Sequence, residues 1–514
     1  MDDPQPNQWS KAIGAYVGVL STLLALATAE LLALIFPGNP SPVFGIAGRV
    51  IDLTPADIRE NLITVVGTND KLFLGIGIVL VVLALGAVVG TKFRNRPESA
   101  WTVYVILGLV LGVIAAPSAY ILWSIAASVI GGLVGWAILV ALLRRRVDAE
   151  TNQQQPALSR RGFLLASGVV AVVAAGGITT IAAIRSSREQ GVERVRSALS
   201  LPRPVKKALP VPAGAAVDVK GMTPPVTPND DFYRIDTALT PPTVDVTNWS
   251  LSISGKVDNP FTLTYADLMA MPQIQKRVTL ACVSNPVGGD LVGNALWQGV
   301  PLTALLDRAG VQPGAQQIVG ESVDGFTVAF PLELALDGRE PLVAVGMNDE
   351  PLPVLHGFPA RLVVPGLYGY VSATKWLSKI RLTTMAEETP FWVQNGWIAD
   401  GRIAAASRID VPSSDAEVRV GNVVVAGRAW HQEVAVGAVE VSVDSGPWQS
   451  TKLADSMGID CWRLWSWNWA ATPGQHRIEV RMIDANGTVQ SSRRTDPGPG
   501  PSSGYDQIMI DVSD

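Results

Sequence analysis

The chain has 514 residues, of which 48% are hydrophobic and 17% charged, and its formal net charge is −5. This length predicts several domains. The charge balance, with no large basic tract, gives no sign of a nucleic-acid partner, and a total of two cysteines, Cys282 and Cys461, excludes a disulfide framework. Mean hydropathy is +0.27, which is high for a soluble protein, and the apolar excess lies in the first third of the sequence.

Four apolar segments in this first third are each long enough to cross a bilayer, which takes about 20 residues in a helix. They cover roughly residues 12–36, 72–90, 101–118 and 120–143. Lysine and arginine residues follow the second and the fourth segments, which places those two loops in the cytoplasm. We therefore predict an all-α transmembrane bundle of four spans over residues 1–156, in the plasma membrane, with a cytoplasmic N-terminus. Pro117 to Ala119 predict a tight turn between the last two spans.

Two arginines precede a fifth apolar run. The sequence from Ser159 to Leu165, with Arg160 and Arg161 side by side, is typical of a twin-arginine export signal. The alternative is that both arginines are cytoplasmic flanks of an ordinary span. Because no convincing cleavage site follows, we predict an uncleaved fifth span and a Pro-rich linker over residues 157–226. Under both interpretations, the remainder of the chain lies outside the cytoplasm.

The predicted spans carry few polar groups that could serve a function. Glu30, near the outer end of the first span, is either functional or reaches the water interface. His356, His431 and His476 are the only histidines, and all lie outside the spans, so no span can supply a bis-histidine haem site. Electrons that reach the membrane therefore need a separate carrier, a cytochrome or a quinone.

A cysteine at the end of a strand marks the candidate catalytic region. The apolar run Val278 to Ala281 leads into Cys282, and a turn containing Asn285 and Gly288 follows. In this position a thiolate can reach a ligand without crossing its own backbone. The alternative is a buried structural thiol.

An ordered set of motifs begins with this cysteine. It consists of Cys282-Val-Ser-Asn285, Leu291 to Leu302, His356-Gly-Phe-Pro-Ala-Arg361, Tyr368-Gly-Tyr370 and Ser372-Ala-Thr-Lys375-Trp376. From about Thr227 to the C-terminus, the sequence resembles the sulfite oxidase family of molybdopterin enzymes. The resemblance implies a molybdenum–molybdopterin cofactor with Cys282 as metal ligand and catalytic residue. A soft thiolate suits a metal that already has dithiolene sulfur ligands.

The resemblance also implies a set of cofactor-binding residues. They are Asn229, Tyr233, Arg234, Cys282, Asn285, His356, Arg361, Ser372 and Lys375. Arginine suits a pterin phosphate because it forms bidentate hydrogen bonds, and lysine acts as a point charge. The alternatives are a surface turn around Asn229 and solvated strand ends around Arg361. A Cys282–His356 hydrolase dyad is a further alternative.

The region after the linker predicts two domains of different class. Short strands alternate with short helices over residues 227–388, which predicts an α+β molybdopterin-binding domain. Alternating strands with turn signals over residues 389–514 predict an all-β immunoglobulin-like sandwich. The latter resembles the family's dimerisation domain, which implies a possible homodimer.

Two departures from the family pattern bear on the substrate. Pro286 and Val287 stand where sulfite-oxidising members typically carry arginine, and Phe326 stands in place of an active-site tyrosine. Both changes disfavour sulfite and favour a neutral sulfoxide or N-oxide. We therefore predict a membrane-anchored, extracytoplasmic oxidoreductase that transfers an oxygen atom on a small sulfur- or nitrogen-containing substrate. The alternative is a non-catalytic membrane protein whose exported half is an interaction module.

Overall fold

The chain divides into two compact units in the computed structural model. One comprises residues 1–191 and 236–243, and the other residues 192–235 and 244–514. The structure describes residues 9–35, 41–54, 70–115, 121–147, 154–156, 158–236, 238 and 241–514.

The first unit is built from helices. They are α1 (Lys11–Ala33), α2 (Pro42–Leu53), α3 (Asp70–Lys92), α4 (Trp101–Ala115), α5 (Ile121–Leu143) and α6 (Arg160–Ala198), with the short antiparallel pair β1 (Arg145–Val147) and β2 (Gln154–Pro156) before α6. Within the described residues, five helical segments are long and apolar enough to cross a membrane: α1, α3, α4 together with the 3-10 turn Pro97–Ala100 that precedes it, α5 and α6. The predicted apolar helices are thus confirmed, whereas the turn predicted at Pro117 to Ala119 lies outside the described residues.

The Glu30 carboxylate is ion-paired and hydrogen-bonded. Its carboxylate lies 2.7 Å from Arg185 Nη2 on α6, and it accepts hydrogen bonds from Ser41 Oγ and from the backbone N–H of Val43. The Glu30 side chain is 12% exposed. A buried carboxylate is tolerable when it is paired and hydrogen-bonded, so this contact ties α1, α6 and the start of α2 together.

The second unit opens with mixed α and β structure. Its elements are β3 (Ser250–Gly255), β4 (Phe261–Thr264), α7 (Tyr265–Ala270), β5 (Ile274–Ala281), β6 (Val292–Pro301), α8 (Leu302–Ala309), β7 (Gln317–Ser322), β8 (Thr327–Pro331), α9 (Glu333–Leu336), β9 (Leu342–Met347), β10 (Glu350–Pro351), β11 (Arg361–Val363), α10 (Gly369–Ser372), β12 (Leu377–Thr383) and α11 (Phe391–Gln394). One sheet has the order β10-β9-β6-β5, with β11 on β9, and the other has the order β4-β3-β12-β7-β8. The predicted α+β class is confirmed.

The C-terminal part of this unit is all-β. It comprises β13 (Ala406–Val411), β14 (Ala416–Arg419), β15 (Gly421–Trp430), β16 (Val436–Val443), β17 (Gln449–Ser450), β18 (Lys452–Leu453), β19 (Arg463–Ala471), β20 (Gly474–Asp484) and β21 (Asp506–Ser513). The strands form two sheets, ordered β13-β15-β19-β18 and β14-β21-β20-β16-β17. Inward side chains, including Val425, Trp465 and Val480, form a separate apolar core.

Local sequence signals explain several of these boundaries. Leu251 and Ile253 alternate along β3 and are buried. Thr264 and Asp267 form a capping box at the start of α7, which satisfies backbone N–H groups of the first turn. Gly310 ends α8 with φ of 68°, a conformation that favours glycine.

Candidate active site around Cys282

Cys282 directly follows β5 and begins a closed loop. Its N–H donates to the carbonyl of Leu291 at 2.9 Å, and its own carbonyl accepts from the N–H of Asn285 at 3.1 Å. The Asn285 Oδ1 atom accepts from the N–H of Leu291 at 2.8 Å. Gly288 has φ of 78°, and a Cβ there would lie 2.3 Å from a carboxylate oxygen of Asp506. The turn therefore needs a glycine, and the loop presents Cys282 in one fixed position.

A cavity lies beside the thiol. It is lined by the loop from Cys282 to Gly288, by Tyr368, and by residues of the C-terminal sheets and loops. The latter include Ala404 to Ser407, Trp430, Gln490 and Ser502 to Gly504. The C-terminal part also anchors the loop, since Arg408 Nη1 donates to the carbonyl of Gly289 at 2.7 Å. The all-β part thus contributes directly to the surroundings of Cys282.

The protonation of the Cys282 thiol is set by opposing effects. Burial raises its pKa, because a thiolate is poorly stabilised away from water. Hydrogen bonds from Ser284 and the positive charge of Lys375 act in the opposite direction. The thiol is therefore protonated at neutral pH when it is free, and a cationic ligand would favour the thiolate.

The turn after His356 brings two cations together. Arg361 is 5% exposed, and its guanidinium carbon lies 4.9 Å from the ring centre of Trp297, while Nη1 donates to the carbonyl of His356 at 3.1 Å. Lys375 Nζ donates to the carbonyl of Leu355 at 3.2 Å. A Cβ at Gly357, where φ is 111°, would lie 3.1 Å from both Arg361 and Lys375. The Cβ atoms of Arg361 and Lys375 therefore lie on either side of Gly357, close to each other.

The segment around Asn229 packs against the same turn. His356 Nε2 lies 2.9 Å from the carbonyl oxygen of Asn229, and the Asn229 side chain is hydrogen-bonded to Asn348 and Glu350. Tyr233 stacks on Phe232 with ring centres 5.3 Å apart. Burial and the neighbouring Cys282 raise the pKa of Tyr233, whereas Arg361 lowers it. Tyr233, Cys282 and Arg361 therefore share one neighbourhood.

Other predicted residues are arranged differently. Arg234 is exposed. The Ser372 hydroxyl is buried and donates to the carbonyl of Tyr368 at 3.0 Å, within its own turn. The Asn285 carbonyl oxygen and Oδ1 both take part in closing or anchoring the loop. Phe326 packs on Phe391, with ring centres 5.8 Å apart.

Sequence reasoning missed Tyr368 as a cavity residue. Its ring is 6% exposed and its hydroxyl oxygen accepts from the N–H of Ala404 at 3.2 Å. Burial raises the pKa of Tyr368 to about 12. The motif Tyr368-Gly-Tyr370 was visible in the sequence, but nothing in it shows which of the two rings faces Cys282.

Part of the chain is similar to a known protein family and to several known oxidoreductases. A family model described as "Oxidoreductase molybdopterin binding domain" matches residues 238–392. The uncharacterized oxidoreductase YuiH of Bacillus subtilis is 35% identical over 182 residues, which is 35% of this chain and 88% of that protein. Mitochondrial sulfite oxidase of Drosophila melanogaster is 28% identical over 321 residues, and that of Homo sapiens is 27% identical over 314 residues. These two alignments each cover 52% of this chain, and they span 55% and 57% of those enzymes, just over half of their length.

A solved structure shows the same fold. The sulfane dehydrogenase SoxCD from Paracoccus pantotrophus aligns with a TM-score of 0.50 and 23% sequence identity. The alignment covers 57% of this chain and 85% of that chain.

The residues around Cys282 fit the cofactor of these relatives. A soft sulfur donor at the edge of a cavity suits molybdenum, and an adjacent guanidinium and ammonium suit the anionic phosphate of a pterin. Arg361 and Lys375 are brought together by a glycine at which a side chain would crowd both. The chain belongs to the sulfite oxidase family of molybdopterin-binding oxidoreductases.

Proposed function

We propose that this protein is a membrane-anchored oxidoreductase that transfers an oxygen atom on a small sulfur- or nitrogen-containing substrate. The observation that carries the proposal is the buried Cys282 at the edge of a cavity, in one neighbourhood with Arg361 and Lys375. The molybdenum centre, when bound, supplies oxygen-atom transfer coupled to two electrons. The chain supplies a fixed thiolate, anchors for the pterin and a shaped cavity.

Each predicted residue has a place in this proposal. Cys282 is the metal ligand, and Arg361 and Lys375 hold the phosphate. His356 and Asn229 fix the turn that presents these cations, and Tyr233, which packs on Phe232, is assigned to the pterin. Asn285 holds the cysteine loop closed, while Arg234 and Ser372 are assigned to cofactor binding only by resemblance.

The substrate enters by the cavity beside Cys282. Its lining includes Pro286, Val287 and the run from Ala404 to Ala406, which are uncharged. A neutral sulfoxide or N-oxide would be desolvated there at lower cost than an anion. Reduction of a sulfoxide consumes two electrons and two protons and yields a thioether and water. If the enzyme instead oxidises its substrate, we propose sulfite as the substrate, because several relatives are sulfite oxidases.

The proposed setting is the plasma membrane, with the second unit on the extracytoplasmic side. Five long apolar helices and the positive residues after α3 and before α6 support this orientation. The twin-arginine interpretation of Arg160 and Arg161 belongs to the same proposal. A separate cytochrome or quinone exchanges the electrons.

Two further assignments concern the second unit. The proposed boundary between the cofactor domain and the C-terminal domain is residue 388, and the proposed linker ends at residue 226. The two C-terminal sheets are proposed to form an immunoglobulin-like sandwich through which two copies of the chain dimerise.

The decisive experiment is the molybdenum content of the purified full chain, measured by elemental mass spectrometry beside turnover. The matched control is Cys461→Ser, because Cys461 is also buried but lies outside the cavity lining. We expect about one molybdenum per chain in wild type and in Cys461→Ser, and loss of turnover in Cys282→Ser. Wild type without metal, produced in a host that makes the cofactor, would contradict the proposal and favour a non-catalytic membrane protein.

A further inference from the structure

Most of the polar side chains around the cavity donate hydrogen bonds within the protein, chiefly to backbone carbonyls. Ser407 Oγ donates to Gln490 Oε1 at 2.7 Å, and Gln490 Nε2 donates to the carbonyl of Gly504 at 2.8 Å. Ser502 Oγ donates to the carbonyl of Asn285 at 2.6 Å, and Ser503 Oγ donates to the carbonyl of Arg493. The three serine hydroxyl protons and the Gln490 amide group therefore already have hydrogen-bond partners within the protein.

Tyr368 differs from these residues. Its oxygen accepts the N–H of Ala404, which fixes the position of the hydroxyl. Within the part of the chain that the structure describes, its own proton has no hydrogen-bond acceptor. A buried donor that is left unpaired costs free energy, so a site that keeps one is suited to a ligand that accepts from it. The cavity that Tyr368 lines also contains Cys282.

Tyr370 provides a natural contrast two residues along the chain. Its hydroxyl donates to the carbonyl of Ile398 at 2.6 Å, and its ring packs on Trp397. Tyr370 is not part of the cavity lining. The Tyr370 hydroxyl thus donates its proton to a backbone carbonyl, whereas the Tyr368 hydroxyl accepts a hydrogen bond but donates none within the described residues.

We propose that the Tyr368 hydroxyl donates a hydrogen bond to the oxygen atom of a neutral sulfoxide or N-oxide substrate bound beside Cys282. Tyr368 is then a catalytic residue. The proposal rests on the proposed function, since it concerns the substrate of the same cavity. Burial raises the pKa of Tyr368 to about 12, so the hydroxyl keeps its proton at neutral pH.

A neutral donor favours a particular class of substrate. The oxygen of a sulfoxide or N-oxide is a strong, compact hydrogen-bond acceptor, and it carries more negative charge as its bond to sulfur or nitrogen breaks. A donor whose oxygen is already held in place, as that of Tyr368 is by the N–H of Ala404, would stabilise the developing charge with little reorganisation. Because Tyr368 and Cys282 line the same cavity, a substrate oxygen held by the hydroxyl would be in the cavity that contains the proposed metal ligand.

The test compares Tyr368→Phe with Tyr370→Phe in the full-length, cofactor-loaded protein. Both changes remove one hydroxyl and keep the ring, so thermal stability and molybdenum content serve as controls for folding and loading. With dimethyl sulfoxide as substrate, we expect kcat/KM to fall by about 10- to 100-fold in Tyr368→Phe. In Tyr370→Phe we expect a change within about threefold, because its hydroxyl makes a bond remote from the cavity. Equal kcat/KM values in the two variants would overturn the proposal.

A binding measurement separates this inference from the proposed function. Dimethyl sulfone presents the same kind of sulfur-bound oxygen, and its binding can be titrated by ligand-observed NMR in protein with or without metal. We expect its Kd to rise by about 5- to 30-fold in Tyr368→Phe and to stay unchanged in Tyr370→Phe. If wild type carries no metal or no turnover, the proposed function fails, and the sulfone titration still decides the role of Tyr368. Equal sulfone binding by all three proteins, or none by wild type, would refute that role.

Discussion

At the scale of single residues, the environment of Cys282 combines burial with nearby positive charge. Burial favours the neutral thiol, and the ammonium of Lys375 favours the thiolate. A metal ligand needs the thiolate, so the cation reduces the cost of removing the proton before metal binds. At the other cysteine the opposing effects are outweighed: burial and the charge of Asp460 raise the pKa of Cys461 to about 12, although Arg277 and Lys276 act to lower it.

This balance predicts how Cys282 reacts in metal-free protein. In a Cys461→Ser background, Lys375→Met should raise the pKa of the Cys282 thiol, since removing the cation destabilises the thiolate. The thiolate is the reactive form, so the rate of alkylation by iodoacetamide near pH 8 should fall by about threefold to tenfold.

A second lysine provides the control for this measurement. Lys379 is exposed and pairs with Glu321 at 2.6 Å, and Lys379→Met should leave the alkylation rate unchanged. Equal rates in the Lys375 and Lys379 variants would show that Lys375 does not influence the thiol.

At the scale of elements, the close approach of α1 and α3 depends on glycines. A Cβ at Gly18 would lie 2.1 Å from the carbonyl oxygen of Gly86, and a Cβ at Gly90 would lie 2.1 Å from that of Gly14. Lipid is as apolar as the side chains, so helices in a membrane associate chiefly through close packing. Small residues at the crossing allow the two backbones to meet.

Gly90→Leu should therefore separate α1 from α3. The control is Gly77→Leu on the same helix, where nothing lies within 4 Å of an added Cβ. Both changes raise helix propensity equally, so the difference between them reports packing alone. We expect Gly90→Leu to cost about 1–3 kcal/mol in the free energy of unfolding relative to the control, measured in detergent by thermal or chemical unfolding. Indistinguishable unfolding of the two variants would show that this crossing contributes little.

At the scale of the whole molecule, the two units present different surfaces. The helices of the first unit expose large apolar side chains, among them Leu80, Leu122, Leu164 and Val172, which suit lipid rather than water. The second unit buries its own apolar clusters, around Leu251, Val425 and Trp297. The surface of the first unit therefore suits lipid, and the buried clusters of the second unit suit a domain in water.

A chain that begins at residue 192 should consequently fold and remain in the supernatant after ultracentrifugation without detergent. The full-length chain should sediment with membranes and be released by detergent. Near-ultraviolet circular dichroism, which reports the fixed packing of aromatic rings, should be retained by the shortened chain. Aggregation of the shortened chain without this signal would mean that the second unit needs residues 1–191 to fold.

The sequence by itself determined the features that depend on local pattern. The apolar helices follow from length and hydropathy, α7 from its capping residues and α8 from Gly310, because these signals act within a few residues. The ordered motifs after Cys282 indicated the family and the set of candidate residues, since a sequence retains the spacing of the groups that bind one cofactor.

Only the tertiary structure decided which side chains meet. The pairing of Glu30 with Arg185 joins residues 155 positions apart, and the anchoring of Gly289 by Arg408 joins residues 119 positions apart. Tyr368 and Tyr370 have different roles because their rings point in different directions from one short turn. Tyr368 lines the cavity, and the Tyr370 hydroxyl donates to the carbonyl of Ile398. Hydrogen bonds form through space, so the partner of a hydroxyl or a carboxylate is fixed by packing and cannot be derived from its neighbours along the chain.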